Sequence, residues 1–151
     1  MNEPKTIILT TDFSETSRKA IEPAVTLART YGAKILLVHI GDVFPLVPLE
    51  NPPIDYQALE KRQREIANEA LSRFAAEYLP KDLEVERIVT LGVTHVEILR
   101  LADERRADMI VMATHGRGFI SHFVLGSTTE RVLHGAKCPV LVVRDPSAKG
   151  K

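Results

Sequence analysis

The chain of 151 residues has no tryptophan, a single cysteine and no surplus of either charge, with 20 Lys and Arg against 20 Asp and Glu. Each shortage excludes something. One cysteine, Cys138, allows no intrachain disulfide, so the fold must rest on its core, and a reducing compartment suits it. Without a basic excess, bulk electrostatics give no reason to expect nucleic acid or an anionic membrane as partner. No apolar run approaches the roughly 20 residues of a spanning helix. The start Lys5-Thr6-Ile7-Ile8-Leu9 is too short for a signal peptide, and acidic Asp12 follows almost at once. These absences point to a soluble, cytoplasmic protein.

Several chemistries are missing as well. The five histidines, His39, His95, His115, His122 and His134, form neither a zinc-like pair with cysteine nor an H-E-x-x-H motif. No metal site built by protein ligands alone is expected. His39 reads as a satisfied, partly buried ring at a strand end. Nothing in the spacing places a general base on a Ser or Cys nucleophile. No arginine finger or water-positioning glutamine can be identified, so catalytic residues are not assigned.

What is present is an alternation of short apolar strands and amphipathic helices. Strands are expected at Thr6–Thr10, Lys34–Ile40, Glu84–Thr90, Met109–Met112 and Val140–Arg144. The Ile35-Leu36-Leu37-Val38 run is typical of a strand covered on both faces, whereas Glu84–Thr90 alternates and looks like an edge. A helix after Asp12 and Ser14 puts Ala20, Ile21, Ala24, Val25, Ala28 and Tyr31 on one face. Pro23 should kink it or loosen a turn, and Gly32 should end it. The helix Tyr56–Leu79 should turn Leu59, Ile66, Ala70 and Phe74 inward. Thr94-x-x-Glu97 spells a capping box for a helix reaching about Arg105. Between Gly41 and Tyr56, four prolines mark a loop that is expected to be mobile, either a lid or a plain surface excursion. There is no composition break. The reading is one α/β domain over residues 1–151, ordered over about 4–145, with a mainly parallel sheet.

Sheets of this kind bind ligands beyond the carboxyl ends of their strands, where strand order reverses. Thr10-Thr11-Asp12 follows the first strand and Ala113-Thr114-His115-Gly116 follows the fourth, so the two segments would line one crevice if those strands are neighbours. From His115-Gly116 the chain runs through nine residues to Gly126-Ser127-Thr128-Thr129-Glu130. Ser127 and Glu130 spell a second capping box. Glycines allow close backbone approach, and a helix N-terminus offers unpaired N–H groups, so the arrangement suits phosphate. It is not a Walker A loop, because no lysine follows the last glycine. Arg117 could touch a phosphate or face solvent.

With Thr11-Asp12-Phe13-Ser14, Leu37-Val38-His39-Ile40, Thr114-His115-Gly116-x9-Gly126-Ser127 and the closing Cys138-Pro139-Val140-Leu141-Val142-Val143-Arg144, the chain resembles the universal stress protein family over nearly its whole length. Its motif is similar to the G-x2-G-x9-G-[S/T] of the ATP-binding branch, with Ala113 in place of the first glycine and Thr10 in place of a proline common among relatives. The resemblance implies a Rossmann-like open sheet of order 3-2-1-4-5 with helices on both faces, of the adenine nucleotide alpha hydrolase kind. It implies ATP between strands one and four, with magnesium held mainly by the phosphates. Asp12 would lie beside the nucleoside and the backbone near Ile40 would read adenine. Met112 and Ala113 would pack on the adenosine. His115, Gly116, Gly126, Ser127, Thr128 and Thr129 would surround the phosphates. A homodimer would form through Val140, Leu141, Val142 and Val143. Three functions stay open on this reading: a nucleotide-dependent stress-response regulator, a slow ATPase or self-phosphorylating protein using the same pocket, and a structural dimer that binds no nucleotide.

Overall fold

Ile7, Ile8 and Leu9 are all fully buried, and so are Ile35, Leu36, Leu37 and Val38. Successive strand residues point to opposite faces, so such runs can be buried only when helices cover both. The computed structural model describes residues 3–43, 55–114 and 125–145 and shows that arrangement. Strands β1 (Thr6–Thr10), β2 (Lys34–Gly41), β3 (Val85–Leu91), β4 (Met109–Ala113) and β5 (Val140–Val143) form one sheet in the order β3-β2-β1-β4-β5. Every pairing is parallel. Helices α1 (Glu15–Arg18) and α2 (Ile21–Tyr31) follow β1, α3 (Tyr56–Tyr78) follows β2, and α4 (Thr94–Glu104) and α5 (Ser127–Gly135) follow β3 and β4. Ile7, Leu9, Ile35, Leu37 and Val111 pack with α2 and α3 on one face. Their immediate neighbours Ile8, Leu36, Val38, Ile110 and Met112 pack with α4 and α5 on the other.

The expected first helix is two. Pro23 has no N–H to give the Lys19 carbonyl, and α2 begins only at Ile21, after a tight turn in which the Lys19 and Ala20 amides donate to Thr16 and Ser17. Gly32 ends α2 in the left-handed region, at φ 61° and ψ 36°. Ala20, Ile21, Ala24, Val25 and Ala28 are buried as expected, but Tyr31 is only half-buried.

The inward face of α3 differs from the expected one. Leu59 and Ile66 are 43% and 51% exposed, Ala70 is half-buried, and the buried residues are Ala67, Leu71 and Phe74. Phe74 sets the rotation, with ring centroids 5.8 Å from Phe13 and 5.0 Å from Tyr78. Three and seven residues back lie Leu71 and Ala67, while Ile66 is turned a further ~100° around the helix. β3 is an edge strand, as its alternation suggested, and β5 is the other edge. The expected lid falls mainly on residues 44–54, outside those described.

Candidate functional site

β1 and β4 are neighbours, yet β1 leads to helices on one face of the sheet and β4 to a helix on the other. Their carboxyl ends therefore part and leave a crevice. Among the described residues its volume is about 870 Å³, lined by Thr10, Thr11 and Asp12 on one lip, Met112, Ala113 and Thr114 on the other, and Gly126, Ser127, Thr128 and Thr129 beyond. A cleft of this size suits a small-molecule ligand, for which about 300–1,000 Å³ is usual. Of the two segments expected to share a crevice, Thr10, Thr11 and Asp12 of the first and Ala113 and Thr114 of the second line it together. His115, Gly116 and Arg117 lie outside the described residues.

The β1 lip is a knot of short hydrogen bonds. The Thr11 amide donates to the Val38 carbonyl at 2.9 Å, and its Oγ1 accepts from the Phe13 amide and shares a hydrogen bond with Ser17 Oγ, both at 3.0 Å. Asp12 Oδ1 accepts from the Ser14 amide at 2.9 Å, so the carboxylate is set at the crevice by its own turn. Phe13 has φ 66°, a left-handed conformation that costs a non-glycine residue about 1 kcal/mol. Its ring stacks on His39, with centroids 4.3 Å apart. His39 Nδ1 lies 2.9 Å from the Thr11 carbonyl. A carbonyl only accepts, so Nδ1 carries the proton and the ring clamps the turn. No local spacing announces Phe13 or Ser17 as part of the site. Both emerge only from packing.

On the β4 lip, Ala113 is ordinary extended strand opposite Val143. Among the described residues only Phe13 and Arg106 are non-glycine residues with positive φ, so the methyl at 113 is carried without backbone strain. The Thr114 carbonyl accepts from the Gly126 amide at 3.4 Å and from Thr129 Oγ1 at 3.2 Å. Thr129 is 2% exposed, and its hydroxyl anchors α5 to the end of β4.

The expected Ser127–Glu130 capping box does not form. Gly126 is the N-cap, at φ −56° and ψ 149°, with no side-chain cap hydrogen bond, and Ser127 is already the first helical residue. The box requires its serine one step earlier, in extended backbone, to reach the third helical amide. With glycine in that place, the first-turn amides of α5 carry no side-chain cap and open toward the crevice. The Thr94–Glu97 box fails in the same way, because the N-cap of α4 is Val93. Glu97 instead accepts from Thr90 Oγ1 at 2.6 Å and pairs with Arg100 at 2.6 Å, which fixes α4 and its crevice-lining Thr94 and Ile98 against β3.

Arg100 first, then the Thr90 hydroxyl, hold the Glu97 carboxyl below its usual range. A lowered folded-state value contributes stability above the ordinary carboxylate range, and that stability is lost as pH falls through the folded value. Glu97→Gln should therefore lower the urea midpoint at neutral pH, with the gap to the unchanged protein closing in acid. A gap that stays constant with pH would show that the carboxylate contributes nothing.

The tip of β2 forms the far wall. Successive strand residues direct their N–H and C=O to alternate sides, and here the Val38 carbonyl reaches Thr11 on the β1 side while the Gly41 carbonyl reaches Gly92 on the β3 side. Ile40 therefore turns its N–H and C=O toward β1, beyond the last β1–β2 pair, Thr10 and Val38. One donor and one acceptor stand side by side at the crevice wall. Behind them, Gln63 of α3 donates from Nε2 to the Asp42 carbonyl at 2.6 Å.

No group of three or more His, Cys, Asp or Glu side chains among the described residues could hold a metal ion, and no described helix is long and apolar enough to cross a membrane. The model of the universal stress protein family matches residues 3–144. A universal stress protein of Methanocaldococcus jannaschii, MJ0531, is 32% identical over 142 residues, covering 94% of this chain and 83% of its own. Among solved structures, hypothetical protein MJ0577 superposes with a TM-score of 0.82 at 27% identity, covering 99% of this chain and all of the other. A universal stress protein from Archaeoglobus fulgidus in complex with dAMP gives 0.63 at 22% identity, covering 93% and 98%. The sheet order, the crevice at the β1–β4 switch and these matches agree, and the chain belongs to the universal stress protein family.

Proposed function

We propose that the chain binds ATP in the β1–β4 crevice and acts as a dimeric, cytoplasmic, nucleotide-dependent regulator. The observation that carries this reading is the pairing of two features across one cleft: the Ile40 backbone edge on one wall and the α5 N-terminus without a side-chain cap on the other. Adenine presents an acceptor at N1 beside a donor at N6, which complements a backbone N–H and C=O. Guanine presents the reverse. Phosphates suit the α5 end, where amides and the helix dipole favour negative charge. Asp12, which lines the crevice, would face the sugar, and magnesium would enter on the phosphates. The Archaeoglobus relative bound to dAMP supports an adenine nucleotide in this fold. Cys138 is half-buried, and desolvation raises its thiol pKa, so it behaves as core rather than as a reactive group.

Calorimetric titration with ATP tests the reading, and Ala113 makes the test specific. Since its backbone is extended strand, Ala113→Gly should change affinity by less than about tenfold, roughly 1.4 kcal/mol. Ala113→Leu should abolish binding by filling the crevice that residue 113 lines. If the unchanged protein binds no ATP and Ala113→Gly does, the alanine closes the site and the proposal fails.

A further inference from the structure

Gln63 is remote in sequence from every motif segment, yet its side chain reaches the crevice. The last residues of β2 need a restraint, because β1 leaves the sheet after Thr10 while β2 continues to Gly41. On the β3 side the Gly41 carbonyl is held by the Gly92 amide at 3.0 Å. On the α3 side the Asp42 carbonyl is held by Gln63 Nε2 at 2.6 Å. The carbonyl partner fixes which end of the Gln63 amide faces it, since only the NH₂ can donate. Gly41 is gripped between the same neighbours: a Cβ there would stand 2.7 Å from Leu91 Cδ2 and 3.2 Å from Gln63 Nε2.

We infer that Gln63 is a positioning residue for base selection, holding the Ile40–Asp42 backbone in the register that presents one donor and one acceptor to the base. The inference rests on the nucleotide reading above and adds the residue that sets its selectivity. Gln63 touches the backbone behind the base, and acts through it. When the Asp42 carbonyl is released, only the bond from the Gly92 amide to the Gly41 carbonyl still restrains this end of β2, and the Ile40–Gly41 peptide rotates more easily because glycine offers little resistance. Rotation of that peptide replaces the Ile40 carbonyl, which suits the adenine N6 donor, with the Gly41 N–H, which suits the guanine O6 acceptor.

The test compares ATP with GTP, the latter by competition, on the full chain carrying Gln63→Glu, Gln63→Met or Gly41→Ala. Gln63→Glu keeps the shape and sets oxygen against oxygen at Asp42, while Gln63→Met keeps the length without a donor. Gly41→Ala disturbs the same grip from the other side, its Cβ crowding Leu91 Cδ2 and Gln63 Nε2 while residue 63 stays glutamine. The ratio of ATP to GTP affinity should fall by about fivefold or more in each, the effect of one lost hydrogen bond. A loss of stability alone would weaken both nucleotides together and leave the ratio where it was. An unchanged ratio in the folded variants, with ATP bound by the unchanged protein, overturns the role of Gln63 alone. No ATP binding by the unchanged protein overturns the nucleotide reading and takes this inference with it.

Discussion

Gly126→Val is expected to weaken nucleotide binding by about a hundredfold or more, roughly 2.7 kcal/mol, in a chain that still folds. Gly126 sits at φ −56° and ψ 149°, a backbone that any residue can adopt, so conformational freedom is not what glycine supplies here. What it supplies is space, at the point where the crevice meets the open end of α5. A branched side chain would stand over the first-turn amides that favour phosphate. The fold should lose only the difference between glycine and valine as N-caps, about 1 kcal/mol. Titration calorimetry with ATP and urea unfolding, run on the same sample, separate the two effects. Binding as tight as that of the unchanged protein would put the phosphate site elsewhere.

The second large effect concerns assembly. We propose that β5 pairs with itself across a two-fold axis. It is one of the two edges of the sheet, and Val140, Leu141, Val142 and Val143 are all half-buried in a single chain. Leu141 and Val143 touch the cluster under α2 and α3, and Val140 and Val142 the cluster under α4 and α5, so both faces of this edge end in apolar side chains. An unprotected apolar edge invites another strand, and a C2 pairing buries the same surface on both copies. Leu141→Glu or Val142→Glu should raise the dimer dissociation constant by about a hundredfold, to the cost of burying an unpaired charge, giving monomer or aggregate. Sedimentation at micromolar concentration decides. An unchanged protein that sediments as monomer there ends the dimer proposal.

Much of this architecture is legible in the amino acids because strands buried on both faces carry unbroken apolar runs, as Ile7 to Leu9 and Ile35 to Val38 do. The left-handed cap at Gly32 and the break around Pro23 are equally local in cause. The capping boxes misled because Ser127–Glu130 and Thr94–Glu97 have the right spacing one residue out of phase, and the phase depends on how the preceding chain enters the helix. In α3, Leu59 and Ile66 are spaced as well as Ala67 and Phe74 for one helix face. Only the aromatic contacts of Phe13, Phe74 and Tyr78 choose between the two. The hand of Phe13, its stacking on His39 and the grip of Gln63 on Asp42 join residues 21 to 61 positions apart or depend on such joins, and a motif has no means of recording them.

The strand order also sets when the crevice can exist during synthesis. β1 emerges first, yet its second neighbour β4 arrives about a hundred residues later, where Asp108 Oδ2 accepts the Lys5 and Thr6 amides across separations of 103 and 102 residues. At about 5–20 residues per second, a ribosome takes on the order of 5–20 s to make that intervening length. Throughout that interval one side of the central strand lacks its mate, and the nascent chain must keep it from foreign pairing. Closing so long a loop is also entropically costly and slow compared with forming the local helices. The two lips therefore meet only after β4 has followed β1 out of the ribosome, and a ligand that bridges them favours chains in which both are in place.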